Sequence, residues 1–190
     1  MSGGYFPDAG LFILNTVFTL YIGAVLLRLV LQWSRADFYN PICQGIVRLT
    51  NPVLRPLRRV VPALGRLDTA SVLVLVALQW LNLWLTARLF GIAPGIPTMA
   101  VMVAAELLRK LVYVYMFAIF ALALASWIAS NTGNPALRLL DSIAEPLLAP
   151  VRRLLPNLGG LDLSPLVVLV LLQLVLKLVV APLTGLGIGL

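Results

Sequence analysis

Apolar residues run along this chain in four long blocks, and each block is long enough to cross a bilayer, which takes about 20 helical residues. The blocks are residues 11–33 (LFILNTVFTLYIGAVLLRLVLQW), 71–90 (SVLVLVALQWLNLWLTARLF), 108–130 (LRKLVYVYMFAIFALALASWIAS) and 165–184 (PLVVLVLLQLVLKLVVAPLT). The stretch MAVMVAAELL ahead of the third block is also apolar and helix-forming, which leaves an earlier start, near Thr98, open. Glu106 and Lys110 are then an i,i+4 pair near the start of that helix and support it locally.

The stretches between the blocks repeat. With an offset of 94 residues, 18 of the 47 positions from Trp33 to Gln79 are identical to those from Trp127 to Gln173, without a gap. Leu and Val matches arise by chance in so apolar a chain. Trp33/Trp127, Asn40/Asn134, Pro41/Pro135, Gly65/Gly159, Asp68/Asp162 and Gln79/Gln173 do not. The most distinctive stretch is NPVLRPLRRVVP (51–62), which returns as EPLLAPVRRLLP (145–156). Pro52, Pro56, Arg58, Arg59 and Pro62 recur as Pro146, Pro150, Arg152, Arg153 and Pro156. This is an internal duplication. The fold expected is an all-α membrane protein. Its four transmembrane helices form two parallel-oriented repeats, each a span, an interfacial Pro/Arg elbow and a span. The copies are then related by an axis along the membrane normal. The chain divides into an N-terminal tail (1–10), repeat one (11–92), a connecting segment (93–107), repeat two (108–184) and a C-terminal tail (185–190).

Asn40-Pro41 is a helix start: Asn caps, and Pro suits the first helical position. A second start is expected at Asn51-Pro52, matched by Glu145-Pro146, and Pro56 and Pro150 remove a helical hydrogen bond one turn later. Each elbow is therefore expected as short helical pieces with fixed bends. Unpaired carbonyls keep such a segment out of the hydrocarbon, so it lies in the interface. Its Leu and Val face the acyl chains, and Arg55, Arg58, Arg59, Arg152 and Arg153 reach phosphates or a partner. Each arginine near anionic lipid contributes about 1 kcal/mol. Asp68 and Asp162, just before the second and fourth spans, read as N-caps; the alternatives are pairing with the arginines or binding a cation. Gln79 and Gln173 fall about 16 Å further along their helices, near mid-membrane. There they bond to each other across the repeats, or else line a conduction path together with Lys177. Lys177 has Leu83 as its counterpart in the first copy. Arg28 and Lys177 are within reach of a membrane face by snorkelling, and Trp33 and Trp127 fit an aromatic belt.

Composition agrees with the pattern. The chain is 61% hydrophobic and only 11% charged, with a mean hydropathy of +1.02, where an average soluble domain carries about 25% charged residues. The net charge of +7 marks loops beside anionic lipid and not a nucleic-acid surface. There is no His and one Cys, Cys43, which excludes His metal ligation, axial-His haem and His acid–base catalysis by this chain. No cofactor or metal is expected. Cys43 reads as a small buried residue. The first ten residues carry no Lys or Arg and are expected to stay in the mature protein. Loop 34–70 holds six arginines and loop 131–164 three, whereas both tails hold no Lys or Arg. The positive-inside rule then places both elbows in the cytoplasm and both termini outside.

The pattern of Asn-Pro, the doubled Pro and Arg-Arg, and Leu161-Asp162-Leu163-Ser164-Pro165 before an apolar span resembles the YggT family (YlmG in some bacteria). The first copy departs from it after the aspartate, as Asp68-Thr69-Ala70-Ser71. The resemblance implies a multi-spanning membrane protein of the kind found in bacteria and plastids, and the bacterial inner membrane is the expected location. It brings links to osmotic or potassium homeostasis, to division and septum organisation, and in plastids to haem attachment. No catalytic residue transfers with it. The expected function is a non-enzymatic accessory or scaffold role in envelope processes, with anionic membrane lipids and a membrane-protein partner or a second copy as contacts. The alternative is a transport or channel subunit in osmotic adaptation.

Overall fold

The structure is a computed structural model that describes residues 5–64, 68–128, 134–155 and 162–189, with backbone alone at 5–8, 126–128 and 187–189. Pro156, the Trp127 side chain and the glycines at 65 and 159 therefore lie outside the described residues. The described elements are all helical: α1 (Tyr5–Trp33), α2 (Pro41–Leu57), α3 (Thr69–Leu89), α4 (Ile96–Ile128), α5 (Pro135–Leu154), α6 (Ser164–Val175) and α7 (Ala181–Gly189). A π-helical turn, Leu176–Val180, joins α6 to α7 into one continuous rod.

Four stretches have the length and hydropathy to span a bilayer: Ala9–Trp33, Thr69–Leu89, Ile96–Ala125 and Ser164–Leu186. Three of these fall where the apolar blocks placed them. The third starts at Ile96 instead of Leu108, so the earlier start is the one adopted. Pro97 sits in its first turn, where a missing N–H costs nothing because that donor has no intrahelical partner. Glu106, now well inside α4, pairs with Arg109 at 2.8 Å and Lys110 at 3.4 Å.

The elbows are α2 and α5, and each is one continuous helix. This corrects the expectation of short broken pieces. Both start where the Asn-Pro pairs placed them: Asn40 Oδ1 accepts from the Ile42 N–H (3.0 Å) and Asn134 Oδ1 from the Ala136 N–H (2.9 Å). Asn51-Pro52 starts nothing, because the Asn51 side chain serves another residue, described below. Pro52 and Pro56 stand inside α2, and Pro146 and Pro150 inside α5. Prolines four residues apart share one face of a helix, and all four are exposed. The carbonyls they leave free therefore open outward, away from the core, and the helix survives. The opposite face of α2 buries Cys43, Thr50 and Leu54. The π turn has a similar cause. Pro182 lacks an N–H and its ring crowds the carbonyl four residues back; a widened turn just before it relieves that clash.

The core falls into three clusters. Ile22, Val25, Leu26, Leu54, Val74 and Leu75 join α1, α2 and α3. Ile119, Ala144, Leu148 and Val168 join α4, α5 and α6. Val25, Leu54 and Val74 of the first are the counterparts, 94 residues earlier, of Ile119, Leu148 and Val168 of the second. The third cluster, Val30, Leu31, Ala36, Cys43, Ala118, Leu139 and Ile143, holds the two groups together. Beside it, Asn40 donates its side-chain N–H to the Pro135 carbonyl at 2.7 Å, so one elbow is bonded to the first turn of the other. A left-handed residue, Arg35 (φ 53), lets α1 end sharply, with the Ala36 N–H on the Leu31 carbonyl at 3.0 Å.

Leu54 and Leu148, both fully buried, plug matching positions beneath the elbows. Leu54→Ala and Leu148→Ala should each lower stability by about 2–5 kcal/mol. Leu49→Ala, at an exposed position on the same helix, should change it by less than about 0.5 kcal/mol. Thermal unfolding of the three variants in detergent micelles measures the difference.

Candidate functional site

Each elbow is tied to the span that follows it by an arginine and an aspartate ten residues apart. In the first copy Arg58 makes a two-pronged pair with Asp68: Nη2 meets Oδ2, and Nε donates to Oδ1 at 3.4 Å. The Ser71 hydroxyl also donates to Asp68, and the Thr69 hydroxyl donates to the Pro62 carbonyl at 2.6 Å. In the second copy Arg152 Nε donates to Asp162 at 2.9 Å and its Nη1 to Glu145 at 2.7 Å. The reading of both aspartates as simple caps is therefore corrected for the first copy. Asp68 makes no side-chain cap bond to α3 and pairs with the arginine instead. Asp162 does both, accepting from the Ser164 N–H at 2.9 Å.

The two ties differ in burial. The Asp68 side chain is 5% exposed and that of Asp162 44%. Burial pushes the Asp68 carboxyl up, but the hydrogen bonds from Arg58 and Ser71 and the charge of Arg58 outweigh it and hold it below the ordinary aspartate range. Asp162 ends on the same side, with burial opposed by the Ser164 hydrogen bonds and by Arg152. The Asp162 and Glu145 hydrogen bonds raise Arg152. Burial raises the Cys43 thiol, with Asp37 adding to it. Cys43 is fully buried, as a small core residue would be.

Arg28 does not snorkel to a membrane face. It is 5% exposed and turns onto the elbow. Its Nη1 donates to Thr50 Oγ1 at 2.6 Å, to Asn51 Oδ1 at 3.0 Å and to the Val47 carbonyl at 3.5 Å. Among the described residues no ion pair reaches it. Nothing in the sequence placed Arg28 against the elbow. The available hint was that Leu122 stands at its counterpart, together with Ala144 for Thr50.

Of the five elbow arginines, Arg58 and Arg152 are held by carboxylates. Arg55, Arg59 and Arg153 are exposed and unpaired among the described residues. Arg48, Pro52, Arg55, Pro56 and Arg59 line one open outward groove. In the second copy Ser142 and Ala149 replace Arg48 and Arg55, so the basic face is richer on α2. Pro62 is exposed.

Gln79 and Gln173, the glutamines expected near mid-membrane, do not meet. Gln79 is 2% exposed and its Oε1 has no hydrogen-bond partner, whereas Gln173 is exposed. The expected bond between them is absent. The reason is packing: α3 lies against α1, α2 and α4, whereas α6 lies against α4 and α5 only. Lys177 is exposed on the π turn. Among the described residues no group of His, Cys, Asp and Glu is arranged to hold a metal ion.

Four apolar helices of spanning length, joined by amphipathic basic elbows, define a multi-pass helical membrane protein. Comparison with known proteins narrows the class. A model of the CCB3/YggT family matches residues 8–89 and again residues 101–183. The chain belongs to the CCB3/YggT family. It is 42% identical over 182 residues to an uncharacterized protein of Pseudomonas aeruginosa, covering 93% of this chain and 92% of that one. It is 37% identical over 164 residues to the uncharacterized protein YggT of Escherichia coli K12, covering 86% and 85%. It is 38% identical over 165 residues to an uncharacterized Vibrio alginolyticus protein, covering 85% and 88%. No solved structure matches.

The unequal burial of the two ties gives a direct test. Asp68→Asn alters a buried carboxylate whose arginine partner is exposed and should cost about 1–3 kcal/mol; Asp162→Asn, where both partners are exposed, should cost less than about 1 kcal/mol. Both carboxyls are held below the ordinary value. Their contribution is therefore complete above the unfolded value of about 3.9 and fades as pH falls through the folded value. The gap between wild type and Asp68→Asn should be constant from about pH 7 to 5 and should close in stronger acid. Thermal unfolding in micelles across that range measures it.

Proposed function

We propose that this protein is a non-enzymatic accessory or scaffold protein of the bacterial inner membrane, acting in envelope processes such as cell division or membrane-complex assembly through its two basic elbows. The observation that carries this reading is the elbow geometry. Each elbow is a continuous amphipathic helix fixed by an ion pair to the following span, and it presents unpaired Arg55, Arg59 and Arg153 outward. A fixed, cationic surface without an acid–base pair suits docking to anionic lipid or to a membrane partner.

The two halves are read as parallel repeats about an axis along the membrane normal. The double match of the family model and the corresponding core residues Val25/Ile119, Leu54/Leu148 and Val74/Val168 support this. Both elbows then face the cytoplasm and both termini the outside, because the arginines concentrate in the elbows. Reporter fusions after residue 190 and within loop 91–95 should report an external location, and fusions within loop 62–64 a cytoplasmic one. A cytoplasmic C-terminus overturns the orientation. Affinity purification from native membranes should recover a stoichiometric membrane-protein partner. Arg55, Arg59 and Arg153 changed together to Gln should lose that partner while the protein stays inserted and abundant.

One observation favours a second reading, a transport or channel subunit. Gln79 buries an oxygen with no partner in the middle of a span, where an unsatisfied polar group costs about 1–3 kcal/mol. Asn82 is buried one turn further along. Gln79→Leu should leave stability equal or higher, since no bond is lost. Under the scaffold reading, hyperosmotic growth is then unchanged. Lost growth at normal abundance and stability would instead place Gln79 on a path and raise transport above scaffolding.

A further inference from the structure

Arg28 is a cation buried in the wall of a cleft, with neutral partners only. The cleft has a volume of ≈ 480 Å³, and Arg28, Gln32, Arg58 and Asp68 form the polar part of its lining. Among the described residues, two arginines against one aspartate leave its lining with one uncompensated positive charge. Asp68 already has Arg58 and Ser71 as partners, and the Arg28 hydrogen bonds recorded above all leave from Nη1. A buried unpaired charge is costly and, within a span, points to function. The position fixes what could neutralise it. Arg28 is five residues before the end of α1 at Trp33, about 7 Å along the helix, and so lies toward the elbow end of its span, within reach of a headgroup seated beside the elbow. The rest of the lining is mostly apolar, through Phe38, Val47, Val61 and Ala63.

We propose that this cleft binds the phosphodiester of one anionic phospholipid, with Arg28 and Arg58 as the phosphate donors and the apolar wall against its glycerol and upper acyl chains. A guanidinium offers the planar, charge-assisted contacts that phosphate oxygens take. A single phosphodiester charge matches the single uncompensated charge of the site. A zwitterionic headgroup would bring an ammonium beside two arginines. The second copy lacks the site: Leu122 replaces Arg28, Ala144 replaces Thr50, and Glu145 replaces Asn51 and engages Arg152. The stoichiometry is therefore one tightly held lipid per chain. The proposal rests on the elbows lying at the lipid interface, and it requires no protein partner.

Native mass spectrometry of the purified protein, released from micelles containing phosphatidylglycerol, phosphatidylethanolamine or phosphatidylcholine, tests it. One phosphatidylglycerol should be retained per wild-type chain, with the other two lipids lost. Arg28→Gln should weaken retention about tenfold or more, the scale of one charge-assisted hydrogen bond. Arg138→Gln, which removes the same charge from the other elbow, should leave it unchanged. Inorganic phosphate and glycerol phosphate at millimolar concentration should not displace the lipid. Equal retention of phosphatidylethanolamine, full retention by Arg28→Gln, or displacement by free phosphate overturns the proposal. Should Arg28→Gln fail to fold, the wild type alone decides. Phosphatidylglycerol should raise its thermal unfolding temperature where phosphatidylcholine does not, and no such selective rise also overturns it. Retained lipid with no stoichiometric protein partner recovered from native membranes overturns the scaffold reading and leaves the cleft standing.

Discussion

The pairing of an elbow arginine with the aspartate at the head of the next span is the contact on which the elbow face depends. An amphipathic helix lying on a bilayer is held in depth by its apolar side, but nothing in that attraction fixes its direction. Arg58 with Asp68, and Arg152 with Asp162, supply the direction. They close short loops, so each elbow must turn back over its own pair of spans. Leu54 and Leu148 then insert at matching positions below. The Asn40 bond to the Pro135 carbonyl fixes one elbow against the other.

The same tie carries different weight in the two copies. Around Asp68 the carboxylate is buried, reinforced by Ser71, and shares its cleft with Arg28 of α1. Around Asp162 it is open to solvent and shares its arginine with Glu145. The duplication has thus kept the geometry of the elbow and divided its chemistry. The first copy concentrates the buried cation, its cleft and the arginine-rich outer groove, and the second keeps the packing without them.

Much of this was legible in the chain. The four spans followed from block length and hydropathy, the elbow starts from Asn-Pro, and the family from the doubled Pro/Arg pattern. What the sequence hid depends on which face of a helix meets which neighbour. Pro52 and Pro56 read as breaks because a lone proline breaks a helix. Their spacing of four puts both on the outward side, where the loss is tolerated. Gln79 and Gln173 occupy corresponding positions in the two copies, yet α3 is packed on more sides than α6, so only one is buried. Arg28 looked close enough to an interface to reach water, and the Thr50 and Asn51 acceptors on α2 draw it inward. The start of α4 at Ile96 was visible in the apolar run ahead of Leu108, and the charged Glu106–Lys110 stretch obscured it.

The bond between the elbows has a lopsided genetic consequence. Its donor is a side chain, Asn40, whereas its acceptor is the main chain at Pro135. Any residue at position 135 that keeps the helix start presents the same carbonyl, but few residues at position 40 can both cap α2 and reach across. After a duplication, drift is therefore filtered unequally at this seam: the first copy must hold its asparagine for two tasks, and the second needs Asn134 for the cap alone. A seam of this kind lets one half of a doubled protein diverge while the junction between the halves stays intact.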